Sequence, residues 1–401
     1  MKNQPTRIKR PCKSLVTGRL IFELSNSSRI FWFFPGCFLR AIDKFQKAFV
    51  EYSFSPAKKK DKQILLSPLT LISFFYKQAV ILRNYFYHKE LLRSRKLSIP
   101  VISIGNLTVG GTGKTPTTIY LARLLQGMGK RVGVLSRGYR GVASGAANVV
   151  SDGKKVRLGP DEAGDEPFLI AEKLPGIVVL TGKDRGLAGE YAQKNFSIDV
   201  ALLDDGFQHL KLKRDLDILL LDGRNPLGSG YLLPRGNLRE PPESIRRAHL
   251  VLVTHADKNC GKIKEIIHAV NLNAPIFFAD YIPVGLERLT SQEKVSLDYL
   301  HGKTVKALAG VARPEYFVSF LSRMGAEVKE TLFFPDHHFY RHQELTRIDK
   351  NSIFVTTEKD AVKLKFLPLP ECDILVLKIE LRIEGDEKFQ DFLKKYLPYL
   401  F

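Results

Sequence analysis

The chain has 401 residues, 44% of them hydrophobic, enough to bury a sizeable core, which excludes a disordered or fibrous protein. A net charge of +20 ordinarily points to nucleic acid, yet +15 of it falls in the first hundred residues, where 20 Lys and Arg face 5 Asp and Glu. The rest carries only +5, so the basic character belongs to the N-terminal quarter and nucleic acid is not expected as a partner.

Residues 1–64 read as a basic, aromatic extension. No stretch reaches the roughly eighteen uninterrupted apolar residues that span a bilayer. The aromatic segment at 29–49 is broken by Pro35-Gly36, and no small-residue cleavage site follows it, so a removable signal peptide fits poorly. "AKKKDK" at 57–62 reads as a solvated linker. Cys12, Cys37, Cys260 and Cys372 show no C-x-x-C spacing and suggest neither a disulfide framework nor a zinc site.

Residues 65–98 predict an amphipathic helix. Ser67 is a capping residue with Pro68 in the first turn, and Leu71, Ile72, Phe75, Ala79, Leu82 and Phe86 follow helical spacing. Ser73, Lys77 and Asn84 fall on the opposite side, and the basic cluster Lys89, Arg93, Arg95 and Lys96 comes directly after. An apolar stripe flanked by aromatics and cations fits a helix lying on an anionic membrane surface; packing on the protein's own core is the ordinary alternative.

From Pro100 onward, short apolar runs alternate with helical stretches, which predicts a mostly parallel α/β sheet. The runs "VISIG", "RVGVLS", "GIVVL", "DVALLD", "LDILLLD" and "LVLVTHA" form a first series. "APIFFADY", "KTVKALAG", "EVKETLFF", "SIFVTTEK" and "DILVLKIEL" form a second. A polar segment from Pro283 separates them, so residues 99–283 are expected to form a P-loop NTPase-type domain and 284–401 a second, smaller α/β domain.

The first strand runs into "NLTVGGTGKTP". Gly110, Gly111 and Gly113 lack the Cβ that would keep backbone amides from closing around phosphate oxygens. Lys114 would reach the β- and γ-phosphates, the Thr115 hydroxyl would bind Mg²⁺, and Pro116 opens a helix whose N-terminus faces the anion. Thr108 stands where the usual pattern has its first glycine, and Val109 where some ATPases carry a second lysine.

In "DVALLDDGFQH" an apolar strand ends in Asp204 and Asp205, which lets one carboxylate face a metal and the other an acceptor. "GPDEAGDEP" packs Asp161, Glu162, Asp165 and Glu166 into six positions; Asp165 or Glu166 is expected to meet metal and acceptor hydroxyl, since transfer to a hydroxyl needs a positioned base. His337 and His338 in "FFPDHHFY" suggest an acid/base helper. Arg235, Arg239 and Glu240 sit in a glycine-rich loop suited to phosphate oxygens.

Taken in order, "GNLTVGGTGKTP", "SRGYRG", "GDEP", "DDGFQH", "PLGSGYLLPRGNLREP", "AGVARPEYF", "PDHH" and "TTEKDAVKL" resemble the tetraacyldisaccharide 4'-kinase family of lipid A biosynthesis over about residues 65–395. The resemblance implies transfer of the ATP γ-phosphate to the 4'-hydroxyl of a lipid A disaccharide 1-phosphate, by a peripheral protein on the cytoplasmic face of the bacterial inner membrane. It further implies that Thr108, Val109, Gly110, Gly111, Thr112, Gly113, Lys114 and Thr115 hold the triphosphate. Asp165 would be the base, paired with His337; Glu166 and Asp204 would lie near Mg²⁺; Asp205, Gln208, His209, Arg239 and Glu240 would line the cleft. The competing reading is a membrane-associated P-loop ATPase that switches a protein partner. Val109 in place of a lysine and the histidine-bearing second series argue against it.

Overall fold

Runs of Val, Ile and Leu without polar alternation are stable as strands only when both faces of the sheet are covered, and here helices cover both. The computed structural model describes residues 67–255, 260–345, 351–369 and 372–400, so the expectations for 1–64 lie outside the described residues. The strands are β1 (Val101–Asn106), β2 (Val132–Ser136), β3 (Asn148–Asp152), β4 (Val178–Thr181), β5 (Val200–Asp204), β6 (Leu216–Asp222), β7 (Leu250–Thr254), β8 (Ile276–Arg288), β9 (Lys294–Val295), β10 (Thr304–Ala309), β11 (Glu327–Phe333), β12 (Ile353–Thr357) and β13 (Asp373–Ile383). The main helices are α1 (Ser67–His88), α2 (Lys114–Gly127), α3 (Asp165–Lys173), α4 (Arg185–Phe196), α5 (Cys260–His268), α6 (Pro314–Arg323), α7 (Glu358–Leu364) and α8 (Asp386–Tyr396).

All these strands join one sheet in the order β11-β10-β12-β13-β8-β7-β6-β1-β5-β2-β4-β3, with β9 paired to β8 alone. β1 lies between β5 and β6, parallel to both, and the chain winds away from it in two directions. That makes β1 the topological switch point, where the carboxyl ends of neighbouring strands open a ligand crevice. Period-two alternation divides β1 between two layers. Ile102 and Ile104 pack with Leu121 and Leu125 of α2 and Ile170 of α3, whereas Val101 packs with Ala188 and Ala192 of α4.

Pro283, where the sequence suggests a division, lies inside β8. That strand is parallel to β7 over Ile276–Ala279 and then antiparallel to β13 from Ala279 to Arg288. Pro283 sits at the register shift between Lys378 and Ile379, the kind of irregularity that tolerates a residue without an N–H. The two series of strands are therefore joined edge to edge through one strand. β3 and the two-residue β9 are absent from the sequence reading: "NVVSD" is an edge strand, antiparallel to β4, and only two of its five residues are buried.

α1 carries its polar side inward. Ser73 is buried and donates to Leu232 O (2.9 Å), while the Tyr76 hydroxyl donates to Arg239 O (2.9 Å). Leu71, Phe74, Phe75, Ile81, Leu82 and Tyr85 face outward, Leu71 and Phe75 each 62% exposed. No helix among the described residues is long and apolar enough to cross a membrane.

Candidate active site

The loop between β1 and α2 needs glycine at two strained positions, Gly110 at φ 119° and Gly113 at φ 83°. Gly113 has a second constraint: a Cβ there would lie 1.3 Å from the Tyr281 hydroxyl of β8. The Gly113 carbonyl accepts from both the amide (3.1 Å) and the hydroxyl (2.9 Å) of Thr117, fixing the start of α2. Thr108 needs no glycine because the chain there is extended. It forms a bridge with Leu238, and Val109 N donates to Asn237 O (2.7 Å) while Arg239 N donates to Leu107 O (2.7 Å). The segment 107–109 is thus stitched to 237–239, which explains the departure from the usual pattern.

Asp204 ends β5 directly beside Ile104 of β1. Its oxygens accept from the hydroxyls of Thr118 (3.1 Å) and Ser136 (3.2 Å), and no cation among the described residues forms an ion pair with it. Burial, reinforced by Glu166 and Asp205, pushes its carboxyl up to about 7. Asp205 differs. Arg239 Nη1 lies 2.8 Å from each of its oxygens and Lys114 Nζ 3.7 Å from one. Desolvation opposes its charge, but Lys114 and Arg239 outweigh that and hold it below the usual carboxylate range. Gln208 braces the arrangement, accepting from Arg239 (3.3 Å) and donating to Asn106 O (2.9 Å).

His209 is buried, with an unpartnered Nε2; burial and then the Arg185 charge push it down to about 3, so it is neutral. Glu240 is enclosed completely and does not line an open cleft. Arg83 Nη2 (2.9 Å), Asn84 Nδ2 (3.1 Å) and Arg247 Nη1 (2.5 Å) all converge on it, tying α1 to the loop that carries Arg239. Arg235 stacks over Tyr231 at 3.6 Å from the ring centre and forms no fork with Arg239.

A second cluster forms where α3 meets the loop after β11. Asp165 is the first residue of α3, and His337 Nδ1 lies 2.8 and 3.0 Å from its two oxygens. Lys363 Nζ is 3.3 Å from Asp165, and Lys359 Nζ is 2.9 Å from both Glu166 and Asp336 and 3.3 Å from His337 Nε2. Burial opposes ionisation of Asp165, yet His337, Lys359 and Lys363 prevail and hold it well below the usual range. His337 takes a left-handed backbone (φ 59°), its carbonyl accepts from Arg140, and Tyr139 meets its ring edge-on at 5.2 Å. His338 instead pairs with Glu344 (2.8 Å) and stacks on Phe334.

Glu166 connects the clusters, since its charge raises Asp204 and acts on Arg239. The structure therefore gathers the loop, Asp204, Asp205, Gln208 and Arg239 in one group, and Asp165, Glu166 and His337 in an adjoining one. Lys359 and Lys363 are the site residues that the sequence reading did not single out. Their signal was present, because positions four apart share one helical face and "TTEKDAVKL" sets two lysines at that spacing.

A phosphate loop at the switch point, with a buried carboxylate on the adjacent strand end, is the arrangement of the P-loop class of nucleotide-binding proteins. Residues 63–398 match the family described as tetraacyldisaccharide-1-P 4'-kinase. The chain belongs to that family. It is 45% identical to the tetraacyldisaccharide 4'-kinase of Syntrophus aciditrophicus, over 84% of this chain and 94% of that one. It is 40% identical to that of Desulfatibacillum aliphaticivorans, over 82% and 92%. A crystal structure of LpxK from Aquifex aeolicus in complex with ATP is similar at a TM-score of 0.69 and 36% identity, covering 83% of this chain and 99% of that one.

Proposed function

We infer that this chain transfers the γ-phosphate of ATP to the 4'-hydroxyl of a tetraacyldisaccharide 1-phosphate, giving the 1,4'-bisphosphate. The observation that carries the reading is the Asp165–His337 pair, 2.8 Å apart, in a chain whose phosphate loop follows the switch-point strand β1. The acceptor oxygen bonds to the γ-phosphorus, the bond from that phosphorus to the β-bridging oxygen breaks, ADP leaves, and the hydroxyl proton passes to Asp165. A carboxylate with such low proton affinity is a weak base. It suits a loose transition state, in which orienting the nucleophile matters more than early deprotonation. His337 holds the carboxylate in place, and Lys359 and Lys363 offset the charge of Glu166, Asp336 and Asp165.

The residues fit a divalent cation. Asp204 is a buried carboxylate that accepts from the hydroxyls of Thr118 and Ser136 and is crowded by the charges of Glu166 and Asp205, and Thr115 sits in the first turn of α2. Mg²⁺ binds through few protein ligands together with phosphate oxygens. Thr115, Asp204 and Glu166 would hold it, and it would neutralise charge on the β- and γ-oxygens.

The outward apolar face of α1 supports a peripheral position at the cytoplasmic membrane surface, because the acylated acceptor stays in the bilayer. The test is incubation of purified protein with labelled ATP, Mg²⁺ and a tetraacyldisaccharide 1-phosphate. A bisphosphorylated lipid is expected. ATP turnover without it would refute the kinase reading and favour a switch ATPase.

A further inference from the structure

α3 packs on the first series of strands, with Phe168, Ile170 and Ala171 buried in the core, and it begins at Asp165. α7 connects β12 to β13 of the second series and meets α3 largely through charge. At the first turn of α3, Lys363 Nζ lies 3.3 Å from Asp165 and Lys359 Nζ 2.9 Å from Glu166. At its far end Lys173, the last residue of α3, places Nζ 2.8 Å from both oxygens of Glu358, the first residue of α7. The two side chains are only 17% and 8% exposed, so salt and water screen this pair little.

The same pair grips the joint between the two series. Ile379 of β13 sits at the register shift opposite Pro283, which has no N–H to give the Ile379 carbonyl. Lys173 Nζ donates to that carbonyl (3.4 Å), and Ile379 N donates to Glu358 (3.3 Å). One ion pair therefore joins the end of α3, the start of α7 and β13. Asp165 and Lys173 are the two ends of α3, about 12 Å apart along its axis at 1.5 Å per residue. A tilt of roughly 10° about one end moves the other by about 2 Å, enough to break the 2.8 Å contact between Asp165 and His337. His337 in turn is referred to α7 by Lys359, whose Nζ lies 2.9 Å from Asp336 and 3.3 Å from His337 Nε2.

We propose that Lys173 and Glu358 are positioning residues for phosphoryl transfer: their ion pair fixes the angle of α3 against α7 and so registers Asp165 against His337. The ties at the first turn cannot do this alone, because Asp165 and Glu166 are themselves engaged by the acceptor proton and Mg²⁺ during the reaction. The far tie stays made throughout, a helix length from the reacting atoms. The proposal rests on the kinase reading, with Asp165 at the acceptor hydroxyl. Removing Lys173 does not strand its partner, since Glu358 keeps Lys378 Nζ at 4.0 Å and the amide of Ile379. The expected loss is therefore one of alignment rather than of folding.

The test uses the full chain as wild type, Lys173→Met, Lys173→Arg and Glu358→Gln, each with Asp165 intact and on an Asp165→Asn background. Formation of bisphosphorylated lipid from labelled ATP and the disaccharide 1-phosphate gives kcat and KM, and urea titration gives stability. With Asp165 intact, Lys173→Met is expected to lower kcat about 10- to 100-fold, as a misplacement of an ångström or so does, while KM for ATP holds. Glu358→Gln moves kcat in the same direction, and because it keeps the shape of the side chain it carries the test where Lys173→Met fails to fold. Lys173→Arg, which can still pair with Glu358, recovers most of the rate. On the Asp165→Asn background the same substitutions lower kcat no further, although their cost in urea is unchanged, because they act through Asp165. A merely structural pair gives the opposite result. The proposal is overturned if kcat stays at the wild-type value in the folded variants, or if it falls by the same factor on both backgrounds. Failure of the kinase reading looks different, because wild type itself then yields no bisphosphorylated lipid.

Discussion

Glu240 offers the sharpest stability test. Glu240→Ala removes a carboxylate with no exposed surface and strands the guanidinium groups of Arg83 and Arg247, whose side chains are 30% and 23% exposed. Removing one partner of a buried pair costs about 3–5 kcal/mol. Partial exposure lets water reach both arginines, which puts the expected loss at the lower end, about 3 kcal/mol. Glu240→Gln keeps the shape and loses the charge, so it costs less. Burial opposes ionisation of Glu240 but Arg247 and Arg83 outweigh it and depress its proton affinity in the folded state. Its contribution is therefore complete above the ordinary glutamate value of about 4.3 and is lost as pH falls through the lower folded value. Urea titration of both variants from pH 7 downward measures all of this. The exposed Arg95–Glu190 pair is the comparison, with little change expected on removing Glu190. If Glu240→Ala costs no more than Glu190→Ala, the cluster does not hold α1 to the body and the clamp is wrong.

Gly113→Ala faces both a strained φ and the Tyr281 hydroxyl, so ATP binding measured by calorimetry is expected to be lost while the sheet stays folded; normal affinity would refute the packing argument. Asp165→Asn should lower turnover by about 10²–10⁴-fold with ATP affinity kept, and near-normal turnover would remove Asp165 from the mechanism. Because His337, Lys359 and Lys363 depress Asp165, its ionic contribution to stability persists down to roughly pH 4 and fades only below, readable as unfolding free energy against pH. Paired Phe75→Glu and Leu82→Glu should release the protein from anionic vesicles without altering its circular dichroism, whereas unchanged co-sedimentation would leave α1 without a membrane role.

Strands buried on both faces were legible because continuous Val, Ile and Leu leave a chain little choice; "LDILLLD" became β6 residue for residue. β3 escaped notice because only Val150 and Ser151 of its five residues are buried, and Asn148, Ser151 and Asp152 leave an apolar run of just two. The polar stretch after Pro283 suggested a domain boundary, since nothing local reveals that β8 continues past Pro283 to pair with β13. At the site, the glycine loop and Asp204 were readable from chemistry at fixed spacing. The position of Glu240 was not: its partners Arg83 and Arg247 lie 157 and 7 residues away, and only folding shows that all three meet inside the protein. Lys359 and Lys363 were not singled out, because the carboxylates they meet, Glu166, Asp336 and Asp165, lie on other elements.

β8 sets a limit on how this sequence can change length. Side chains alternate faces along a strand, so deleting one residue between Ala279 and Tyr281 turns the phenol to the other side of the sheet, away from Gly113. The same deletion slides every later pairing with β13, and with it the loop bearing His337, relative to α3 and Asp165. An insertion or deletion between strands alters one loop. In this short stretch it would put the nucleotide half and the histidine half out of step at once, so here descendants of the chain can exchange residues but not gain or lose them.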